Sequence, residues 1–247
     1  MKTLKGAWVV VFGLVVAACN DDEMKSTKKL SSEEQAEMVA ASMGKSGFAA
    51  SADQSADYAD DAVDASGKVA SCGFTAANTV SLSGSFGQII YSFAYDYDVA
   101  LVCTSAEEPK TLNSEFTYEG SFDGPKFAMQ YSGNGALAVT SLEAASANYH
   151  INGSYERTGS FESKIEERPA GSSNIKIDID DVIINKSTKA IISGSADASI
   201  TGVISGKGSY AFDSHIVFNG DGTALITVSG DKYLMNLATG QVTLQAS

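Results

Sequence analysis

Residues 91–103 have the sequence YSFAYDYDVALVC, the clearest alternation of apolar and polar side chains in the chain. Every second position from Tyr91 to Cys103 is aromatic, aliphatic or cysteine, and Asp96 and Asp98 lie between them. Side chains two positions apart share one face of a β-strand. The stretch therefore predicts a strand with one buried face and one exposed face.

Similar runs follow at residues 116–118, 137–139, 149–151, 175–179, 216–218, 225–228, 233–237 and 242–244. Turn-forming pairs stand between runs at Asn134-Gly135, Asn152-Gly153, Asp221-Gly222 and Thr239-Gly240. The connections are too short for crossover helices, so neighbouring strands should be antiparallel. The sequence thus predicts a mainly β fold over residues 66–247, an antiparallel meander forming a sandwich or an open barrel.

Residues 31–65 have helical spacing instead. Ser31 and Glu34 match a capping box, and the apolar stripe that follows is mostly alanine, which buries little area. We therefore predict a short N-terminal helical arm or spacer, loosely docked on the β domain. Eighteen of the 22 aromatic residues lie beyond residue 70, so a chain beginning near Ser66 should still melt cooperatively.

The opposite face of the second helical stretch is acidic. It carries Asp53, Asp57, Asp60, Asp61 and Asp64. The alternation and central glycine of an EF-hand calcium loop are missing. We interpret these aspartates as a solvated face.

The amino terminus has the pattern of an export signal. Lys2 and Lys5 precede an apolar run from Ala7 to Ala18, which is shorter than the roughly 20 residues of a spanning helix. Residues 16–19, VAAC, resemble the lipobox of bacterial lipoproteins. The resemblance implies that residues 1–18 are a lipoprotein signal peptide and that acyl chains on Cys19 anchor the protein to a membrane. An ordinary signal peptide with a chance cysteine is the alternative.

Residues 19–30 are predicted to be an acidic flexible tether. Residues 20–23, NDDE, resemble the export tract of Bacteroidetes surface lipoproteins, and residues 220–242 resemble the endings of uncharacterised lipoproteins of that type. The resemblance implies an outer-membrane location at the cell surface. The periplasmic face and inner-membrane retention are the alternatives.

Cys72 and Cys103 remain once Cys19 is assigned to lipid. An exported chain reaches an oxidising compartment, where a pair of cysteines predicts a disulfide. Two reduced, buried cysteines are the alternative. Their spacing, without a nearby histidine, does not match a zinc site.

Motifs for catalysis are missing from the sequence. The net charge of −13 disfavours nucleic-acid binding, and no serine elbow, zinc-protease motif or phosphate loop occurs. His150 and His215 are out of phase with their apolar neighbours, which predicts solvent-facing side chains. We assign no catalytic residue, metal or cofactor.

Paired carboxylates leave the function open. Asp96 and Asp98 share one strand face, as do Asp178 and Asp180; such pairs bind calcium, serve glycosidases or simply line the wet side of a sheet. We predict a non-enzymatic binding, adhesion or structural module for a protein or glycan ligand. The alternative is a carboxylate-dependent enzyme on extracellular glycan, using Glu115 with Glu119 or Asp178 with Asp180.

Overall fold

The computed structural model describes residues 30–44, 47–62, 72–164 and 170–245. This part of the chain forms two helices followed by eleven strands. The helices are α1 (Ser32–Met43) and α2 (Phe48–Ala62). The strands are β1 (Thr75–Phe86), β2 (Ile89–Cys103), β3 (Pro109–Asp123), β4 (Phe127–Thr140), β5 (Asn148–Ser163), β6 (Ala170–Asn185), β7 (Ile191–Ile204), β8 (Gly208–Phe218), β9 (Thr223–Val228), β10 (Asp231–Asn236) and β11 (Val242–Leu244).

All eleven strands belong to one sheet, whose spatial order from β1 to β11 is the order along the chain. Neighbouring strands are antiparallel throughout. β1 and β11 each have a single neighbour, so the sheet is not closed. This confirms the mainly β, antiparallel meander with an N-terminal helical segment. Of the two predicted architectures, the described strands form the open one, without the second sheet of a sandwich.

Both helices lie against one face of this sheet. Helix α1 contacts β4 and also β9, β10 and β11, while Tyr58 of α2 lies against Tyr97 of β2 with ring centroids 5.8 Å apart. A flat sheet of eleven strands would be about 50 Å wide, whereas two helices cover roughly 20 Å. The sheet must therefore curve around the helices. We call the face toward the helices the inner face and the opposite one the outer face.

The alternation predicted for β2 is confirmed. Alternate side chains from Phe93 to Leu101 are buried on the inner face, and Asp96 and Asp98 are exposed on the outer face. The same two-residue period continues through β3 to β10, so the core lies between the inner face and the helices. Its aromatic side chains include Tyr95, Phe116, Tyr118, Phe122, Phe127, Tyr131, Tyr155 and Phe161.

The start of α1 agrees with the sequence. Ser31 Oγ accepts a hydrogen bond from the Glu34 N–H at 3.2 Å, and the Glu34 carboxylate accepts one from the Ser31 N–H at 2.7 Å. The predicted capping box is confirmed.

The prediction of a loosely docked arm is wrong. Every residue of α1 from Ala36 to Met43 is buried, and α2 buries Ala52, Ala56 and Ala59. Alanine contributes little apolar area of its own. Its small side chain instead lets each helix backbone approach the sheet closely, and the helices then cover the aromatic side chains of the inner face.

Two of the four predicted turns are also wrong. Asp221-Gly222 and Thr239-Gly240 do lie between strands, but Asn134-Gly135 is inside β4 and Asn152-Gly153 is inside β5.

Close packing explains one of these glycines and a bulge explains the other. A Cβ atom on Gly135 would lie 2.5 Å from the Phe116 ring and 2.6 Å from Tyr155 Cβ, so the missing side chain makes room for aromatic neighbours. Gly153 has a φ of 151° where the register between β5 and β6 shifts, which is typical of a β-bulge.

Candidate functional site

The outer face carries a groove lined by carboxylates where β2 to β5 run side by side. Asp96, Asp98 and Glu115 line this groove, whose volume is about 400 Å³. Asp98 and Glu115 are direct antiparallel partners, which places their Cβ atoms roughly 5 Å apart. Thr79 of β1 donates a hydrogen bond to Asp96 at 2.6 Å. The groove offers acceptor oxygens on an open, solvated surface.

The other carboxylate pairs lie on the same face at wider spacing. Glu115 and Glu119 are four positions apart on β3, roughly 13 Å along a strand, which exceeds the separation of about 10 Å or less in glycosidases. Asp178 and Asp180 are exposed on β6, two positions or roughly 7 Å apart. The structure thus brings Glu115 together with Asp98 and not with Glu119.

Each histidine forms one pair with an aspartate on the outer face. His150 Nδ1 lies 2.7 Å from Asp181, and His215 Nδ1 lies 2.8 Å from Asp197. Their side chains are 34% and 51% exposed, as predicted. In the described part of the chain, each histidine ring has its aspartate as hydrogen-bond partner, and no hydroxyl group is bonded to either ring. No group of three or more His, Cys, Asp or Glu side chains in the described ranges is arranged to hold a metal ion.

A buried arginine lies at the carboxyl end of α1. Arg157 of β5 is 1% exposed and donates hydrogen bonds to the carbonyls of Ala41 at 3.3 Å and Met38 at 3.4 Å. Tyr155 donates to the carbonyl of Ser42. The last turn of a helix has carbonyls without intrahelical partners and a partial negative charge. Arg157 and Tyr155 therefore cap a helix end that water does not reach.

A buried carboxyl lies in the middle of the same helix. Glu37 is 3% exposed, and its side chain accepts hydrogen bonds from the backbone N–H groups of Lys126, at 3.0 Å, and Phe127. Burial raises the pKa of Glu37 to about 7, against the opposing effect of these bonds and of the Lys126 charge. Glu37 thus holds the β3–β4 turn against α1 and titrates near neutral pH.

The sequence suggested that the acidic face of α2 is simply solvated. The structure shows instead that two of its aspartates contact the sheet. Asp60 accepts a hydrogen bond from the Tyr149 hydroxyl at 2.5 Å and pairs with Lys189, whose ammonium group also lies 3.7 Å from Asp57. Lys189 also donates to the carbonyl of Ala56 at 3.1 Å. These contacts fix α2 to β5 and to the β6–β7 turn. Burial raises the pKa of Asp57 above its usual range, despite the nearby Lys189 charge.

The predicted disulfide is present. Cys72 and Cys103 are bonded, with their Cα atoms 5.8 Å apart. Cys19, the predicted signal peptide of residues 1–18 and the predicted tether up to residue 29 lie outside the described residues. None of the helices in the described ranges is both long and apolar enough to cross a membrane.

Comparisons with known proteins provide no relative. No protein-family model, curated protein or solved structure matches the chain.

Sequence reasoning missed the buried polar residues Arg157 and Glu37. A signal for Arg157 was available, because it stands in phase with Tyr155, Gly159 and Phe161, all on the inner side of β5. Glu37 had no such signal, since a glutamate between Ala36 and Met38 resembles any exposed helix position. Only the packing of α1 within the curved sheet buries it.

Proposed function

We propose that this chain is a membrane-anchored extracytoplasmic lipoprotein whose β domain acts as a non-enzymatic binding, adhesion or structural module. The lipobox ending at Cys19 supports the anchor, and the disulfide between Cys72 and Cys103 supports an oxidising compartment. The proposed location is the outer membrane, at the cell surface or on its periplasmic face.

One observation carries the non-enzymatic part of the proposal. Helices α1 and α2 occupy the inner face, where a curved sheet would otherwise enclose a ligand. The carboxyl groups whose pKa burial raises, Glu37 and Asp57, belong to these helices and hold the fold together. The carboxylates of the outer face lie on an open surface suited to contact with a protein or glycan.

Replacing Cys19 tests the anchor. Cys19→Ser should move the protein from the membrane fraction to the soluble extracytoplasmic fraction and remove the acyl mass, because serine offers no thiol for lipidation. Asn20→Ser, a neighbouring change that keeps the thiol, should leave both unchanged. Unaltered fractionation of Cys19→Ser would disprove lipid anchoring.

Protease treatment of intact cells tests the location. A protein at the cell surface should be degraded when protease is added outside. Survival until the outer membrane is permeabilised would instead place the protein on the periplasmic face.

A carboxylate-dependent enzyme on extracellular glycan is the second candidate, favoured by the direct pairing of Asp98 with Glu115. Cβ atoms roughly 5 Å apart allow the two carboxyl groups to reach the separation of about 5 Å that a retaining glycosidase uses. If this is correct, Glu115→Gln should abolish release of reducing sugar from polysaccharide, and Glu119→Gln, on the same strand but farther away, should not. Equal activity of both variants and the unmodified chain would rule this site out.

A further inference from the structure

The first strand of the sheet has one free edge. β1 pairs with β2 over twelve consecutive residues, Thr75–Phe86, without a register shift. Among the described residues no strand is hydrogen-bonded to its other edge. The opposite edge, β11, is only three residues long. A long, regular edge strand can accept a further strand, whereas a very short one cannot.

The backbone groups that face the free edge can be assigned. The carbonyl of Phe74 accepts a hydrogen bond from the Leu101 N–H at 2.9 Å, so Phe74 and Leu101 form a hydrogen-bonded pair. Such pairs alternate along antiparallel strands. The even-numbered residues of β1 therefore bond to β2. The odd-numbered residues direct their N–H and C=O groups toward the free edge: Thr75, Ala77, Thr79, Ser81, Ser83 and Ser85.

β1 lacks the usual protection against pairing with another chain. Edge strands are commonly blocked by charged residues, proline or bulges, and Thr75–Phe86 contains none of these. Leu82 and Phe86, on the inner side of the strand, are 44% and 53% exposed. An added strand would cover both side chains.

We propose that β1 pairs antiparallel with β1 of a second copy of this chain, joining two sheets into one. The strand contains no charged residue, although the chain has a net charge of −13. Two acidic copies can therefore meet at β1 without placing negative charges opposite each other. The strand is also self-complementary. A twofold axis at Ser81 places Val80 opposite Leu82 and Ala76 opposite Phe86, so apolar residues of the inner face meet each other.

A cysteine at the proposed axis tests this pairing directly. The Ser81→Cys variant of the full chain is purified in detergent from the cell fraction in which the protein is found. Under oxidising conditions it should form a covalent dimer through the introduced thiol. The Cα atoms of a directly opposed, hydrogen-bonded pair are about 5.5 Å apart, within disulfide range. Ser132→Cys, an exposed outer-face serine on the interior strand β4, should not crosslink. Peptide mapping would distinguish the new bond from Cys72–Cys103.

A charge placed at the edge tests the same interface without a crosslink. Leu82→Lys should weaken dimerisation by about tenfold or more in sedimentation equilibrium, because it buries an ammonium group opposite Val80. Val203→Lys, a change at a 51% exposed position on the interior strand β7, should leave the dimer intact. The proposal would be overturned if the unmodified chain were monomeric and Ser81→Cys crosslinked no more than Ser132→Cys. The same result is expected if β1 pairs with a different protein, so that outcome also contradicts self-pairing.

Discussion

Arg157 stabilises the fold by donating hydrogen bonds to carbonyls of α1 inside the core. Its guanidinium group lies 4.5 Å from the centre of the Tyr131 ring and donates hydrogen bonds to the carbonyls of Ala41 and Met38 of α1. A buried cation is costly unless it is well hydrogen-bonded. Here the partial negative charge of the helix end and the face of an aromatic ring both favour it.

We expect Arg157→Met to lower the free energy of unfolding by about 3 kcal/mol, since it removes the hydrogen bonds from the guanidinium group to the carbonyls of Ala41 and Met38 and the contact with the Tyr131 ring. Lys176→Met, on the exposed side of the neighbouring strand β6, should change it by no more than about 0.5 kcal/mol. Urea unfolding of both variants measures the difference. Equal stability of the two variants would show that the contacts of Arg157 with α1 do not stabilise the fold.

Glu37 makes stability depend on pH. Its folded pKa of about 7 lies above the unfolded value of 4.5, so its contribution to stability is fully present below pH 4.5 and is lost as pH rises through 7. Glu37→Gln should therefore be more stable than the unmodified chain above pH 7, by up to about 3 kcal/mol, with the gain disappearing below pH 4.5.

Denaturant unfolding across this pH range tests the prediction. Glu33→Gln, which alters an exposed neighbour on the same helix, is the control and should not reproduce the pH-dependent gain. A pH-independent difference between Glu37→Gln and the unmodified chain would contradict the assignment.

The β1–β2 hairpin is closed at both ends. A short turn joins Phe86 to Ile89, and the Cys72–Cys103 disulfide joins the start of β1 to the end of β2. This matters because β1 has only one neighbouring strand to hold it in the sheet. The disulfide adds a covalent restraint at the end of the hairpin that is farthest from the turn.

Replacing both Cys72 and Cys103 with serine should cost about 3–4 kcal/mol, since the bond closes a loop of 31 residues in sequence separation. The loss should be accompanied by faster hydrogen exchange in β1 than in β5, an interior strand. Uniform exchange across the sheet would mean that the disulfide does not specifically secure the edge.

At the scale of the whole molecule, α1 and α2 form a layer of the fold. They cover inner-face aromatics from β2 to β8, including Tyr97 against Tyr58 and Phe218 against Phe48. Burying one such ring contributes about 1.5–3 kcal/mol, so removing the helices would expose more apolar surface than the sheet can tolerate.

We therefore expect a chain that begins near Ser66 to lose its cooperative thermal transition, contrary to the prediction from sequence. A chain that begins at Leu30, which keeps both helices, should retain the transition and a β-type circular dichroism spectrum. Cooperative melting of the shorter chain would show that the sheet folds without its helical layer.

Local sequence pattern by itself determined the class of fold, the strand faces, the capping box at Ser31 and the Cys72–Cys103 pair. The first three depend on the spacing of nearby residues, and the disulfide was predicted from the export signal and the number of remaining cysteines. The candidate groove was less predictable. Asp96, Asp98 and Glu115 were recognisable as acidic residues of an exposed strand face, but the pairing of Asp98 with Glu115 required the register between β2 and β3.

Tertiary structure alone decided where the helices lie and what they bury. The alanine stripe of α1 and α2 predicts little buried area. The helices are nevertheless tightly packed, because the sheet curves around them. The same curvature buries Glu37 and leaves β1 as an edge with one neighbour. These features depend on how distant strands are arranged around α1 and α2, and sequence spacing carries no information about that arrangement.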